Sequence, residues 1–125
     1  MNKILTGLEG GVLRVQFNRA EKKNAITAAM YQALAHALRH AERDNAVRVA
    51  LIHGAPDVFT AGNDLQDFLA SPPHSNDAPE FQFLRAIHEF PKPLIAAVSG
   101  LAVGIGTTML LHCDMVYCTP GTRFS

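Results

Sequence analysis

Between positions 96 and 108 an apolar run, Ala96-Ala97-Val98, passes through Ser99-Gly100 into Leu101-Ala102-Val103, then through Gly104 into Ile105-Gly106-Thr107-Thr108. A buried strand that meets glycines and then a helix has one geometric consequence. The first backbone N–H groups of the helix lack an intrahelical acceptor and converge on one spot, which suits an oxyanion. A second turn of this kind, Phe59-Thr60-Ala61-Gly62-Asn63-Asp64-Leu65, follows another apolar strand. Two such turns constrain the fold, and they can aim donors at a single carbonyl oxygen, as chemistry on a thioester requires.

The rest of the pattern supplies strands and helices in alternation. Leu13, Val15 and Phe17 alternate with Arg14, Gln16 and Asn18 after a Gly10-Gly11 turn, which predicts a hairpin of residues 4–9 and 12–18. Met30, Leu34, Leu38 and Ala41 recur at helical spacing, with Thr27 able to cap the start and Asp44-Asn45 marking the end. Residues 47–53 form an apolar, β-branched run, as expected of a strand buried on both faces in a parallel sheet joined by right-handed crossovers. The breaker-rich segment 71–79 predicts a mobile surface loop between a short helix after Asp64 and a helix over 80–89. Pro91 and Pro93 then lead into a strand at 94–98, a helix at 106–112 and a strand at 115–119. The expectation is one layered α/β domain with its functional turns at the carboxyl ends of strands.

Composition narrows the function classes. The 125 residues are 48% hydrophobic with formal net charge zero, enough for one modest core and without the basic stripe that nucleic acid demands. No apolar run reaches the roughly 18 residues that span a bilayer. The start, Met1-Asn2-Lys3-Ile4-Leu5-Thr6, has neither a secretion-signal core nor an Arg-rich amphipathic leader, so the reading is cytoplasmic, with the peroxisome or mitochondrial matrix as alternatives. Cys113 and Cys118 lie in apolar surroundings without a C-x-x-C repeat and are expected to be buried, reduced thiols. The chain ends at Pro120-Gly121-Thr122-Arg123-Phe124-Ser125, directly after a strand and with no closing helix, which reads as a chain cut short.

Four segments carry a family resemblance. Asn18-Arg19-Ala20-Glu21-Lys22-Lys23-Asn24-Ala25 is similar to the N-R-P-x-x-x-N-A segment of the crotonase superfamily, the enoyl-CoA hydratases and isomerases, with Ala20 in place of proline. Ala61-Gly62-Asn63-Asp64-Leu65 and Gly100-Leu101-Ala102-Val103-Gly104-Ile105-Gly106 resemble its two oxyanion-hole segments, and Cys113-Asp114 resembles the C-D before a family strand. The resemblance implies a spiral of β-β-α units truncated at the C-terminus. Residues 1–125 would be the N-terminal part of the core domain, the trimerisation helices being absent, and the full-length form would be a homotrimer or hexamer. It implies an acyl-CoA thioester as partner, coenzyme A entering only as part of the substrate, with no metal and no separate cofactor. By the same resemblance the oxyanion donors would be the amides of Asn63 and Ile105. Lys22, Lys23 and Ala25, with Ala61, Gly62, Asn63, Asp64, Leu65 and Gly104, would lie along the CoA. The chemical logic agrees, since deprotonation alpha to a thioester puts charge on the carbonyl oxygen, where two fixed donors stabilise it.

The resemblance also separates reactions. Hydratases of the family use two glutamates, and the first would fall at Thr108, whose hydroxyl cannot serve as a general acid or base near neutral pH. The segments around Gly62-Asn63-Asp64-Leu65 and Val103-Gly104-Ile105 look most like peroxisomal-type enoyl-CoA delta-isomerases, which move a 3-enoyl double bond to position 2 with one carboxylate base. That base would follow Ser125. Other acyl-CoA chemistry of the superfamily, hydration or thioester hydrolysis, and a non-catalytic acyl-CoA binder or inactive fragment are the alternatives.

The other candidate residues have plainer roles. Asp64 reads as a helix-start residue, Asp67 as an exposed helix residue, Asp114 as a structural acceptor, and Thr107 and Thr108 as helix-start polarity. His36 and His40 have the i, i+4 spacing of a zinc helix, but Ala37 stands where the glutamate would and no third ligand is evident, which predicts a solvated face. His53, His88 and His112 flank apolar segments and are expected to be satisfied structural histidines. Ser99 lacks a G-x-S-x-G elbow. Phe81, Phe83, Leu84 and Ile87 are expected to cover the core, with the option of lining an acyl tunnel.

Overall fold

The structure, a computed structural model, describes residues 2–125. Strands β1 (Ile4–Glu9) and β2 (Val12–Phe17) form the antiparallel hairpin, closed at Gly10 and Gly11. Helix α1 (Ala28–Arg43) follows, and β3 (Val49–His53) returns parallel to β2. Helices α2 (Leu65–Ala70) and α3 (Pro79–Glu89) flank an exposed irregular loop, after which β4 (Leu94–Val98) pairs parallel with β3. The short β5 (Leu101–Ala102) leads into α4 (Ile105–Thr108), which tightens to a 3-10 turn over Met109–His112. Finally β6 (Met115–Cys118) joins β4, and β7 (Arg123–Phe124) pairs parallel with β5. The main sheet therefore runs β1-β2-β3-β4-β6, with a second small layer built on β5.

The helix boundaries follow from local chemistry. The Thr27 hydroxyl accepts the Met30 N–H at 3.2 Å at the start of α1, a cap worth about 1 kcal/mol. At the other end the Lys92 ammonium donates to the carbonyls of Ala41, Asp44 and Val47 at 2.6, 2.8 and 2.8 Å, satisfying acceptors at and just beyond the helix C-terminus. Met30, Leu34 and Leu38 on α1 and Phe83 and Ile87 on α3 are buried in one cluster with Val15, Ile52, Ala96 and Val98 of the sheet. Burying each such large side chain stabilises by about 1.5–3 kcal/mol.

The sheet is not covered on both faces as expected. Burial alternates along β3, where Ala50 and Ile52 are buried but Val49, Leu51 and His53 are only partly so. The helices pack on the face that carries Val15, Ile52 and Ala96 in register. The opposite face presents Gln16, His53, Ala97 and Tyr117 in one row, Tyr117 exposed. The same openness corrects the thiols: both cysteines are free, but Cys113 is half-buried and Cys118, on β6, is exposed. Burial, then the neighbouring Asp114 carboxylate, pushes the Cys113 thiol up to about 11. His88 and His112 are exposed too, and their rings meet edge to face at 5.7 Å. His53 is half-buried, its Nδ1 3.2 Å from the Gly54 carbonyl.

Candidate functional site

The small layer brings the two turns together. Beside the β5–β7 pair, Thr60 bridges in parallel to Ala102 and Ile26 to Asn63. The Phe59 N–H donates to the Leu101 carbonyl at 2.8 Å and the Val103 N–H to the Thr60 carbonyl at 3.0 Å. Gly62, at φ +90°, packs so closely on the second turn that a Cβ there would lie 2.8 Å from the Val103 carbonyl oxygen. Gly106 approaches the first turn equally closely, its notional Cβ 2.6 Å from the Thr60 carbonyl oxygen. Real Cβ atoms do not tolerate such distances, so the glycines are the condition for contact between the turns.

Within this layer the amides sort into used and unused. The Ile26 and Asp64 N–H groups complete the bridge to Gly62 and Ile26 carbonyls, the Gly62 N–H turns back to the Thr60 hydroxyl at 3.1 Å, and the Gly104 and Gly106 N–H groups donate to Ser125 and Val103. The amides of Asn63 and Ile105, one in each turn, have no acceptor among the described residues. Asn63 is exposed and Ile105 half-buried.

The first turn is braced by side chains, several of which sequence reasoning did not single out. Asn24, fully buried, accepts the Arg19 N–H at 2.7 Å and donates to the Phe59 carbonyl at 3.0 Å. The Thr60 hydroxyl donates to the Asn24 carbonyl at 2.6 Å. Arg19 reaches the Ala25 carbonyl at 3.0 Å and the Asp64 carboxylate at 2.7 Å. Asp64 also accepts the Asp67 N–H at 2.9 Å as the cap of α2. That backbone bond first, and the Arg19 guanidinium second, hold its carboxyl below the usual range. Asp67 is not the exposed residue expected of it: half-buried, it accepts the Ala28 N–H at 2.7 Å at the start of α1. The Tyr31 hydroxyl donates to Asn63 Oδ1. Asn24 was visible only as part of the N-x-x-x-x-x-N-A pattern, and Tyr31 carried no signal beyond a helix-face aromatic.

Other expected positions fall as follows. Lys22 and Lys23 are exposed on the rim beside Ala25, the Lys23 backbone lying in the left-handed region at φ 53° and its carbonyl accepting the Ala61 N–H at 3.0 Å. Leu65 is 73% exposed at the start of α2. Asp114 is the structural acceptor expected, taking the Leu94 N–H at 2.8 Å. Thr108 is exposed and Thr107 donates to the Ala102 carbonyl at 2.8 Å. His36 and His40 are exposed, and no cluster of three metal-ligating side chains exists among the described residues. A surface depression of about 730 Å³ around His36, Arg39 and Arg85 touches neither turn.

The fold and site thus define a class of protein: a β-β-α scaffold with two turns in contact through Gly62 and Gly106, each carrying one backbone amide without an acceptor among the described residues. The family model for enoyl-CoA hydratase/isomerase matches residues 7–125, and the chain belongs to that family of enzymes, the crotonase superfamily. It is similar to enoyl-CoA delta isomerase 2 of Rattus norvegicus, 39% identical over 97% of this chain and 32% of the relative. It is also similar to the 1,2-epoxyphenylacetyl-CoA isomerase of Escherichia coli (strain K12), 35% identical over 99% of this chain and 50% of the relative. The solved structure of Pseudomonas aeruginosa OdaA superposes with TM-score 0.97 at 50% identity, covering all of this chain and 51% of its own. The chain therefore spans about a third to a half of the length of the proteins it matches. Among the described residues, no helix is long and apolar enough to cross a membrane.

Proposed function

We propose that the protein is an acyl-CoA isomerase that moves a 3-enoyl-CoA double bond to position 2, with the thioester oxygen held by the N–H groups of Asn63 and Ile105. The observation that carries this reading is the pair of acceptor-free amides in turns that touch through Gly62 and Val103. Removing the proton alpha to the thioester moves charge onto that oxygen. Donors fixed by the fold then stabilise the enolate more than the ground state, because they need no reorganisation as the charge appears. The relatives named as CoA isomerases support the same class of chemistry.

The aspartates near the turns offer no free base of the kind hydration needs. Thr108 occupies the position where hydratases of the family would carry their first glutamate, and Asp64, Asp67 and Asp114 are committed to Arg19, Ala28 and Leu94. In this reading the base follows Ser125 in the full-length protein. The exposed Lys22 and Lys23 receive the CoA phosphates, with Ala25, Ala61, Gly62, Asp64, Leu65 and Gly104 forming the walls beside the thioester. Coenzyme A enters as part of the substrate alone. A cytoplasmic setting and assembly as a trimer or pair of trimers belong to the same proposal.

The test is a paired assay of the full-length protein on 3-enoyl-CoA and 2-enoyl-CoA of matched chain length. Turnover of the first, seen as growth of conjugated enoyl-thioester absorbance, is expected. Efficient hydration of the second with no isomerisation of the first would refute the proposal.

A further inference from the structure

The Asn63 amide is mounted on segment 19–26, the segment that also carries Lys22 and Lys23. On one side of Asn63 the Ala61 N–H donates to the Lys23 carbonyl at 3.0 Å and the Ile26 N–H to the Gly62 carbonyl at 2.8 Å; on the other the Asp64 N–H donates to the Ile26 carbonyl at 2.9 Å. Arg19, its side chain only 12% exposed, ties the same junction from the Ala25 carbonyl at 3.0 Å to Asp64 Oδ2 at 2.7 Å. Lys23 and Asn24 are both left-handed, at φ 53° and 56°, alone among the described non-glycine residues. That conformation is unfavourable for an L-residue. Asn24 is compensated by burial and by its bonds to Arg19 and Phe59. The Lys23 side chain is exposed, and glycine would hold the same backbone without strain. A lysine side chain that the fold does not bury, on a strained turn bonded to a donor site, points to a ligand.

We propose that Arg19 is a positioning residue that couples the two ends of the substrate: seating the CoA phosphates on Lys22 and Lys23 restrains segment 19–26, and Arg19, through Asp64, carries that restraint to the Asn63 N–H. Arg19 stands at the base of the strained turn, where Asn24 Oδ1 accepts its N–H and its own carbonyl accepts the N–H groups of Lys22 and Asn24 at 3.0 and 2.8 Å. Its guanidinium ends on Asp64, the residue after Asn63. Phosphates held by the two ammonium groups therefore steady the mount of the oxyanion donor. Binding energy from a part of the substrate remote from the reacting carbons is realised as orientation in the transition state, and so appears in kcat as well as in affinity.

This inference rests on the roles proposed above for Asn63 and the two lysines, and its test separates it from the isomerase reading. In the full-length protein, kcat and KM are measured on a 3-enoyl-CoA and on the pantetheine thioester of the same acid, which lacks the phosphates. The pantetheine thioester is expected to lose about tenfold or more in kcat in addition to its higher KM. A loss confined to KM, with equal kcat, overturns the coupling and leaves the isomerase reading intact; a wild-type protein that does not turn over the 3-enoyl-CoA overturns both. Arg19→Gln should bring the kcat ratio of the two substrates to within about threefold of one, with KM for the CoA thioester changed by less than about twofold. A merely structural Arg19 would lower both rates alike and keep the wild-type ratio, which overturns its positioning role. Should Arg19→Gln not fold, the double variant Lys22→Ala/Lys23→Gly, changed only at exposed positions, carries the same readout. Its kcat ratio should fall toward one with no lower thermal midpoint, since glycine relieves the left-handed turn, and a wild-type ratio overturns the proposal.

Discussion

The first turn is fastened by side chains and the second by backbone. Around Gly62 and Asn63, five side chains from four parts of the chain converge: Asn24, Arg19, Thr60, Asp64 and Tyr31. Around Gly104 and Ile105 the holding bonds run from Val103, Gly104 and Gly106 amides to main-chain carbonyls, and Thr107 contributes the sole side-chain bond recorded there among the described residues. The difference has a physical origin. The first turn follows β3 through an irregular stretch, so its backbone groups need side-chain partners. The second lies between β5 and α4 and against β7, where regular pairing provides them. One donor of the proposed pair is therefore specified by polar residues scattered through the sequence, the other by an absence of side chains.

The largest expected effect breaks the second turn chemically while leaving it folded. Ile105 is the first residue of α4, a position where proline is accepted because its N–H has no helical acceptor. Ile105→Pro should lower kcat/KM by about 10²–10³, roughly 3–4 kcal/mol of transition-state stabilisation, with a smaller loss of thermal stability from the packing of the Ile105 side chain against the core. Unchanged turnover in steady-state assays would remove Ile105 from the oxyanion role.

Next in size is a stability contrast between the two turns. Asn24→Ala leaves the Arg19 N–H and the Phe59 carbonyl without their partner in a buried place, and should cost about 2–4 kcal/mol in urea unfolding. The corresponding loss in the second turn, Thr107→Val, removes one part-buried bond and should cost about 1 kcal/mol. Equal costs would mean that the turns are not held differently after all.

The smallest effect is one of pH. Asp64 titrates below its ordinary range in the folded chain because the Asp67 amide and Arg19 favour its charged form. Its contribution to stability is therefore complete above the unfolded value near 4 and is lost as pH falls through the lower folded value. Asp64→Asn should flatten the acid limb of a stability-versus-pH curve between those two values and change little at pH 7 beyond the lost ion pair. An acid limb identical to wild type would show that the first turn does not depend on this charge.

Much of this was legible before any coordinates. The hairpin, α1 with its Thr27 cap, the strand at 94–98 and the order of elements follow from periods of two and 3.6 and from punctuation by glycine and proline. Both turns announced themselves as apolar strands running into glycine, and the four matched segments named the family. Less visible were β5, β7 and the single-residue bridges at Ile26, Thr60 and Asn63, since strands of one or two residues have no period to read. The one-sided burial of β3 was missed because a run of Val, Ala, Leu and Ile looks the same whether one face is covered or two.

Sequence alone thus determined the longer elements, the two turns and the family, because these depend on local chemistry and on residue order. Only the tertiary structure decided which amides remain unpaired, that Gly62 and Gly106 bring the turns into contact, that Asp67 caps a helix far from it in sequence, and that Arg19 reaches Asp64. Each of those facts is a distance between residues tens of positions apart, and hydrogen bonding and close packing are fixed by distance, on which residue order places only a loose bound.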